Sequence, residues 1–103
     1  MYLVRFSYDV LPANRQRAIE LIRQEVVSAA GRNLNARLLV PLTRGQGGAA
    51  LQLEVELKSL DQLEEYRHEG AGSEKKTANW MHQFSEILLA PPGVEILRVD
   101  AGK

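Results

Sequence analysis

At 103 residues the chain can build one hydrophobic core and is too short for two, so a single domain over 1–103 is expected. Its 13 basic residues cancel its 13 acidic ones, which removes the electrostatic case for nucleic acid or an anionic membrane surface as a partner. Cysteine is absent, so disulfides and thiolate metal sites are excluded.

Taken in order, Met1 to Val10 carries Arg5 and Asp9 and alternates instead of forming an apolar block, so no secretory leader is read there and a cytoplasmic protein is expected. The same alternation predicts a strand. Tyr2, Val4, Phe6 and Tyr8 point one way, and Leu3, Arg5, Ser7 and Asp9 point the other. Pro12 suits the first turn of a helix, which the spacing predicts over Asn14 to Ala30. Its inward face is read as Arg15, Ala18, Ile19, Ile22, Val26 and Ala29, and Gly31 is read as a left-handed stop. Asn35 to Thr43 is a second strand, with Ala36, Leu38, Val40 and Leu42 on one face and Arg37, Leu39 and Thr43 on the other. Pro41 puts it at a sheet edge or marks a bulge. After a glycine-rich hairpin loop at residues 44–48, Ala49 to Leu57 alternates most clearly of all.

Ser59 to Pro92 reads as a helical arm broken once. Ser59 and Gln62 have capping-box spacing, so a helix begins there. Gly70 and Gly72 interrupt it within the stretch from His68 to Ser73. Ser73 then starts a longer helix running toward Pro91, with Thr77, Trp80, Met81, Phe84, Ile87 and Leu88 on one face. His82, Gln83 and Glu86 fall on the opposite face. Gly93 releases a last strand, Val94 to Val99, ahead of a loose tail.

This order of elements is the split βαβ plan of the α+β ferredoxin-like fold: βαββαβ, a four-stranded antiparallel sheet with its helices on one face. The other face mixes Leu3, Leu39, Leu97 and Val99 with Arg5, Arg37, Glu54, Glu56 and Glu95. That mixture fits a wet interface with compensating charges, and two such sheets face to face make a homodimer.

A helix start carrying Ser59, Leu63, Tyr66 and His68, followed by a second helix with Trp80 and Phe84, resembles the dimeric α/β-barrel superfamily. That group includes stress-responsive barrel proteins, antibiotic-biosynthesis monooxygenases, and NIPSNAP-like and EthD-like proteins. The resemblance implies a homodimer with a pocket in each subunit, between sheet and helices, suited to an apolar or aromatic small molecule. Trp80, Tyr8, Phe84, Thr77 and Arg15 are the candidate ligand-binding residues. Trp80 reads first as a core anchor by its size and second as pocket lining, and Arg15 stands at a helix entrance open to solvent. Tyr66 and Arg67 lie on the inward side of the short helix, where either one can stabilise an enolate. Arg67 can also cover apolar surface with its stem. His68 is the candidate proton carrier, against a plain role at a helix C-terminus. His68 with Glu64, and His82 with Glu86, supply two ligands each and make no metal site. No cofactor is expected. Haem chemistry of the kind found in that superfamily is disfavoured, because Ser7 stands in the first strand where an asparagine is needed. The expectation is a small-molecule-binding barrel protein of undefined role. The alternative is a cofactor-independent monooxygenase, or a cyclase or isomerase, acting on an aromatic ketone or quinol.

Overall fold

Strict alternation makes Tyr2–Tyr8 a strand (β1), and it runs through the middle of a four-stranded sheet. The computed structural model of the chain describes residues 1–43, 50–69 and 74–100; for 67–69 and 74–78 it describes the backbone path alone. After β1 come a 3-10 turn at Pro12–Asn14, helix α1 (Arg15–Gly31), β2 (Asn35–Leu39) and β3 (Leu51–Leu57). Helices α2 (Leu60–Glu69) and α3 (Glu74–Ser85) and strand β4 (Gly93–Arg98) complete the chain. The sheet order is β2-β3-β1-β4 with every neighbouring pair antiparallel, the ferredoxin-like arrangement read from the sequence.

Register puts the expected apolar face together. Val4 opposes Val55, Phe6 opposes Leu53 and Tyr8 opposes Leu51 across β1 and β3. Against this face pack Ala18, Leu21, Ile22 and Ala29 of α1, Leu63 and Tyr66 of α2, and Phe84 of α3, all buried. Ser59 caps α2 as its spacing implied: the Gln62 N–H donates to Ser59 Oγ at 3.1 Å, and Gln62 Oε1 accepts from the Lys58 N–H at 2.7 Å. The expected interruption of the arm yields two separate helices, while the glycines at 70 and 72 and the cap at Ser73 lie outside the described residues. So do the hairpin loop at 44–49 and the tail at 101–103.

Four sequence expectations are corrected. The buried stripe of α1 is Ala18, Leu21, Ile22, Glu25 and Ala29, rotated from the predicted face so that Arg15 is exposed and Ile19 and Val26 sit at its border. Gly31 stays helical, and the left-handed residue is Asn33 at φ 60. The Leu34 N–H reaches back to the Ala29 carbonyl at 2.9 Å and the Asn33 N–H to the Ala30 carbonyl at 3.1 Å, which is a Schellman closure. β2 stops at Leu39 instead of Thr43, because Pro41 has no N–H for the ladder; Val40 and Leu42 are left exposed. α3 stops at Ser85, well before Pro91, because Leu88 bridges to Val10 and the Leu89 N–H donates to the Asp9 carbonyl. The chain after α3 thus folds along the end of β1.

The outer face of the sheet is ordered in rows. From β2 to β4 the central row reads Arg37, Glu54, Arg5, Glu95, alternating in sign. Arg5 donates to Glu54 Oε2 through Nε at 3.2 Å and Nη2 at 2.8 Å, and Arg37 donates to Oε1 through Nε at 3.0 Å and through Nη2. Glu54 is therefore compensated within the chain, by Arg5 from one side and Arg37 from the other. Leu3 and Leu97 stand opposite each other in a neighbouring row, while Leu39 pairs with Gln52 at the far corner. The aliphatic residues form corner patches and not a continuous band.

Candidate functional site

A cavity of about 600 Å³ lies between the sheet and the helices. Its aromatic wall is built by strict spacing. Phe6 and Tyr8 leave β1 on the same side; Tyr66 comes from α2, one turn after Leu63; Trp80 and Phe84 are one turn apart on α3. The rings pack on one another: Tyr8 stacks on Phe84 at 4.4 Å, Trp80 meets Phe84 edge-on at 5.3 Å, and Phe6 lies 6.2 Å from Tyr66. The Trp80 indole N–H donates to the Leu21 carbonyl, so α3 is pinned to the middle of α1.

The cavity opens along β4. Helix α1 packs against β2, at the sheet edge opposite β4, and Val94 and Ile96 on the helix-bearing face of β4 remain 56% and 48% exposed. Met81 joins this apolar rim at 59% exposure while still lining the cavity.

One charged group lines the cavity among the described side chains, and the sequence reading missed it. Glu25 projects from the buried stripe of α1 and is 5% exposed. The Tyr66 hydroxyl donates to Glu25 Oε1 at 3.4 Å. Burial raises the hydroxyls of Tyr8 and Tyr66 well above the ordinary tyrosine range, and the Glu25 charge raises both further. Both are therefore neutral donors at physiological pH. The signal for Glu25 was its spacing: it falls three and four residues after Ile22 and Leu21, on the same face.

Of the residues nominated from sequence, Tyr8, Tyr66, Trp80 and Phe84 are brought together in the cavity wall. Arg15 is exposed at the first turn of α1 and lies outside the lining. Thr77 lies on α3 and Arg67 and His68 on the last turn of α2, with their side chains outside the described residues. His82, on the outward face as expected, is exposed and pairs with Glu86 at 3.4 Å. Among the described residues no group of His, Asp or Glu is assembled to hold a metal, and no helix is long and apolar enough to cross a membrane.

No protein-family model and no curated protein sequence matches the chain. Solved structures do. The structure of Rv0793 from Mycobacterium tuberculosis matches with a TM-score of 0.74 over 98% of each chain at 19% identity. The crystal structure of an antibiotic biosynthesis monooxygenase matches with a TM-score of 0.70 at 13% identity, over 97% of this chain and 99% of that one. The chain has their fold. The resemblance drawn from Ser59, Leu63, Tyr66, His68, Trp80 and Phe84 thus holds at the level of the backbone plan, and the chemistry of the cavity rests on this chain's own residues.

Proposed function

We propose that the chain binds an aromatic small molecule in the cavity between sheet and helices, as one half of a homodimer. The cavity itself carries this reading. Its volume of about 600 Å³ falls within the range of roughly 300–1,000 Å³ usual for small-molecule sites. Its wall of Phe6, Tyr8, Tyr66, Trp80 and Phe84 offers ring faces and edges, and its rim leaves Val94 and Ile96 in water until something apolar covers them.

A cofactor-independent monooxygenase acting on an aromatic quinol is the second reading. It is favoured by the likeness to an antibiotic biosynthesis monooxygenase and by the Tyr66 hydroxyl inside the cavity. Thermal-shift titration with fused-ring aromatics and quinols, run beside an oxygen electrode, separates the two. A ligand at ten times its Kd adds about 1.4 kcal/mol, which raises Tm by roughly 5–10 °C in a domain of this size. Stabilisation without oxygen uptake is the expected result. Oxygen uptake with a quinol establishes the second reading, and no shift with any aromatic overturns both.

A further inference from the structure

Val94, Ile96 and Arg98 alternate onto the helix-bearing face of β4, in register with Phe6, Val4 and Tyr2 of β1. The first two line the cavity where it opens, and both stand about half in water. Met81 lines the same cavity from α3 and is exposed as well. A ligand held wholly among the rings of Tyr8, Trp80 and Phe84 leaves all three apolar side chains in contact with water. One that extends out of the opening along β4 covers them, and each methylene so buried strengthens binding by up to about fourfold. Along β4 this path carries no charge until Arg98, which is exposed. Arg98 lies four residues beyond Val94, a rise of about 14 Å at roughly 3.4 Å per residue. From the ring wall outward, the face thus reads aromatic, then aliphatic, then cationic. A guanidinium has five N–H donors in a planar fork that matches a carboxylate with two parallel hydrogen bonds. A cationic group at that end would be repelled, and a neutral one would gain no charge pairing.

We infer that the cavity takes an elongated amphiphile: an aromatic ring bearing an apolar chain that leaves along β4 over Val94 and Ile96 and ends in a carboxylate on Arg98. This rests on the reading of the cavity as an aromatic-ligand site and adds a direction, a length and a charge to it. The path lies on the helix-bearing face of the sheet, opposite the face offered to a second copy, so ligand and dimer do not compete for it.

Titration of the full chain at neutral pH with naphthylalkanoates, from the propanoate to the decanoate and each beside its methyl ester, tests the assignment through the naphthalene fluorescence. Affinity of the acids should rise by about two- to fourfold per methylene and level off once the carboxylate reaches Arg98. At that length the acid should bind about two- to fivefold tighter than its ester, the yield of an exposed ion pair. Arg98→Gln should abolish this advantage and leave the esters unchanged. Ile96→Ser should flatten the dependence on chain length in both series, while the propanoate binds as before. Both positions are exposed, which favours a retained fold. If Ile96→Ser does not fold, the wild-type series decides the path alone. Binding of the propanoate with no gain from a longer chain overturns the inference and leaves the cavity reading intact. Esters as tight as acids at every length, or an acid advantage that survives Arg98→Gln, overturn the role of Arg98. Loss of self-association in Ile96→Ser shows that a second copy covers the rim and overturns the path. Binding by no member of either series overturns the cavity reading itself.

Discussion

Glu54, 2% exposed, accepts from Arg5 and Arg37 on the outer face, whereas Glu25, 5% exposed, faces an aromatic cavity with the Tyr66 hydroxyl on one oxygen. Two glutamates are thus buried on opposite faces of the sheet. At Glu54, burial pushes the carboxyl pKa up, but the hydrogen bonds and charges of Arg5 and Arg37 outweigh it and hold the group below its ordinary range. The folded chain therefore binds this proton less readily than the unfolded chain. The resulting stability is present above the ordinary glutamate range of about 4.3 and is lost as pH falls through the depressed value. Glu54→Gln should cost about 1–2 kcal/mol at neutral pH, at the low end for charged hydrogen bonds because Arg5 and Arg37 stay 30% and 56% exposed. It should also flatten the loss of stability between pH 5 and pH 2. Urea titrations of both proteins across that range check it, and parallel acid limbs would show that Glu54 carries no linkage.

The elements were legible where one local rule acted alone. Alternation in β1 and β3 placed Tyr8, Leu51, Leu53 and Val55 on the core face, and helical spacing placed Trp80 and Phe84 together. Legibility failed where a distant contact overrode the local pattern. No local signal ends α3 at Ser85; the bridge between Val10 and Leu88 does. The face of α1 was misread for a different reason: Leu21 and Glu25 were left out of the inward face although their register was inward. Arg15 was drawn toward the site by its register in that misplaced face, when the first turn of α1 lies in solvent. The end of α1 gives a prediction at this scale. Asn33 holds φ 60, a conformation that asparagine tolerates and alanine resists. Asn33→Ala should destabilise by about 1 kcal/mol, while Asn33→Gly should be neutral or slightly stabilising, since glycine adopts that region freely. Denaturant midpoints of the two variants measure this. Equal midpoints would mean that the Schellman closure does not set the helix end.

At the scale of the whole molecule, the sheet has helices on one face, and among the described residues nothing covers the other. Burying that outer face against a second copy is made easier by its central row. Glu54 is already out of water and paired with Arg5 and Arg37, so its desolvation is met within the chain before any partner arrives. A two-fold axis brings the same row onto itself, and unused N–H donors of Arg5 and Arg37 then face the acceptors of Glu56 and Glu95. Size decides how tight such a dimer can be. Four strands about 4.8 Å apart, each of five to seven residues rising about 3.4 Å, give a face of roughly 400 Å². A specific interface needs about 500 Å² from each partner, so the sheet alone sits near the lower limit and flanking residues such as Met1 and Val99 must contribute. The expected dimer is therefore one that dissociates on dilution, with a midpoint in the micromolar range. Leu97→Glu places a charge directly opposite Leu3 and two residues from Glu95 on the same face, in the row where two leucines meet. It should shift the chain to monomer at every concentration while leaving the core, which lies on the other side of the sheet, intact. Sedimentation from about 1 to 100 µM reads both effects. A wild-type chain that stays monomeric throughout overturns the dimer and leaves the ferredoxin-like fold, and a Leu97→Glu dimer as tight as the wild type moves the interface to another surface.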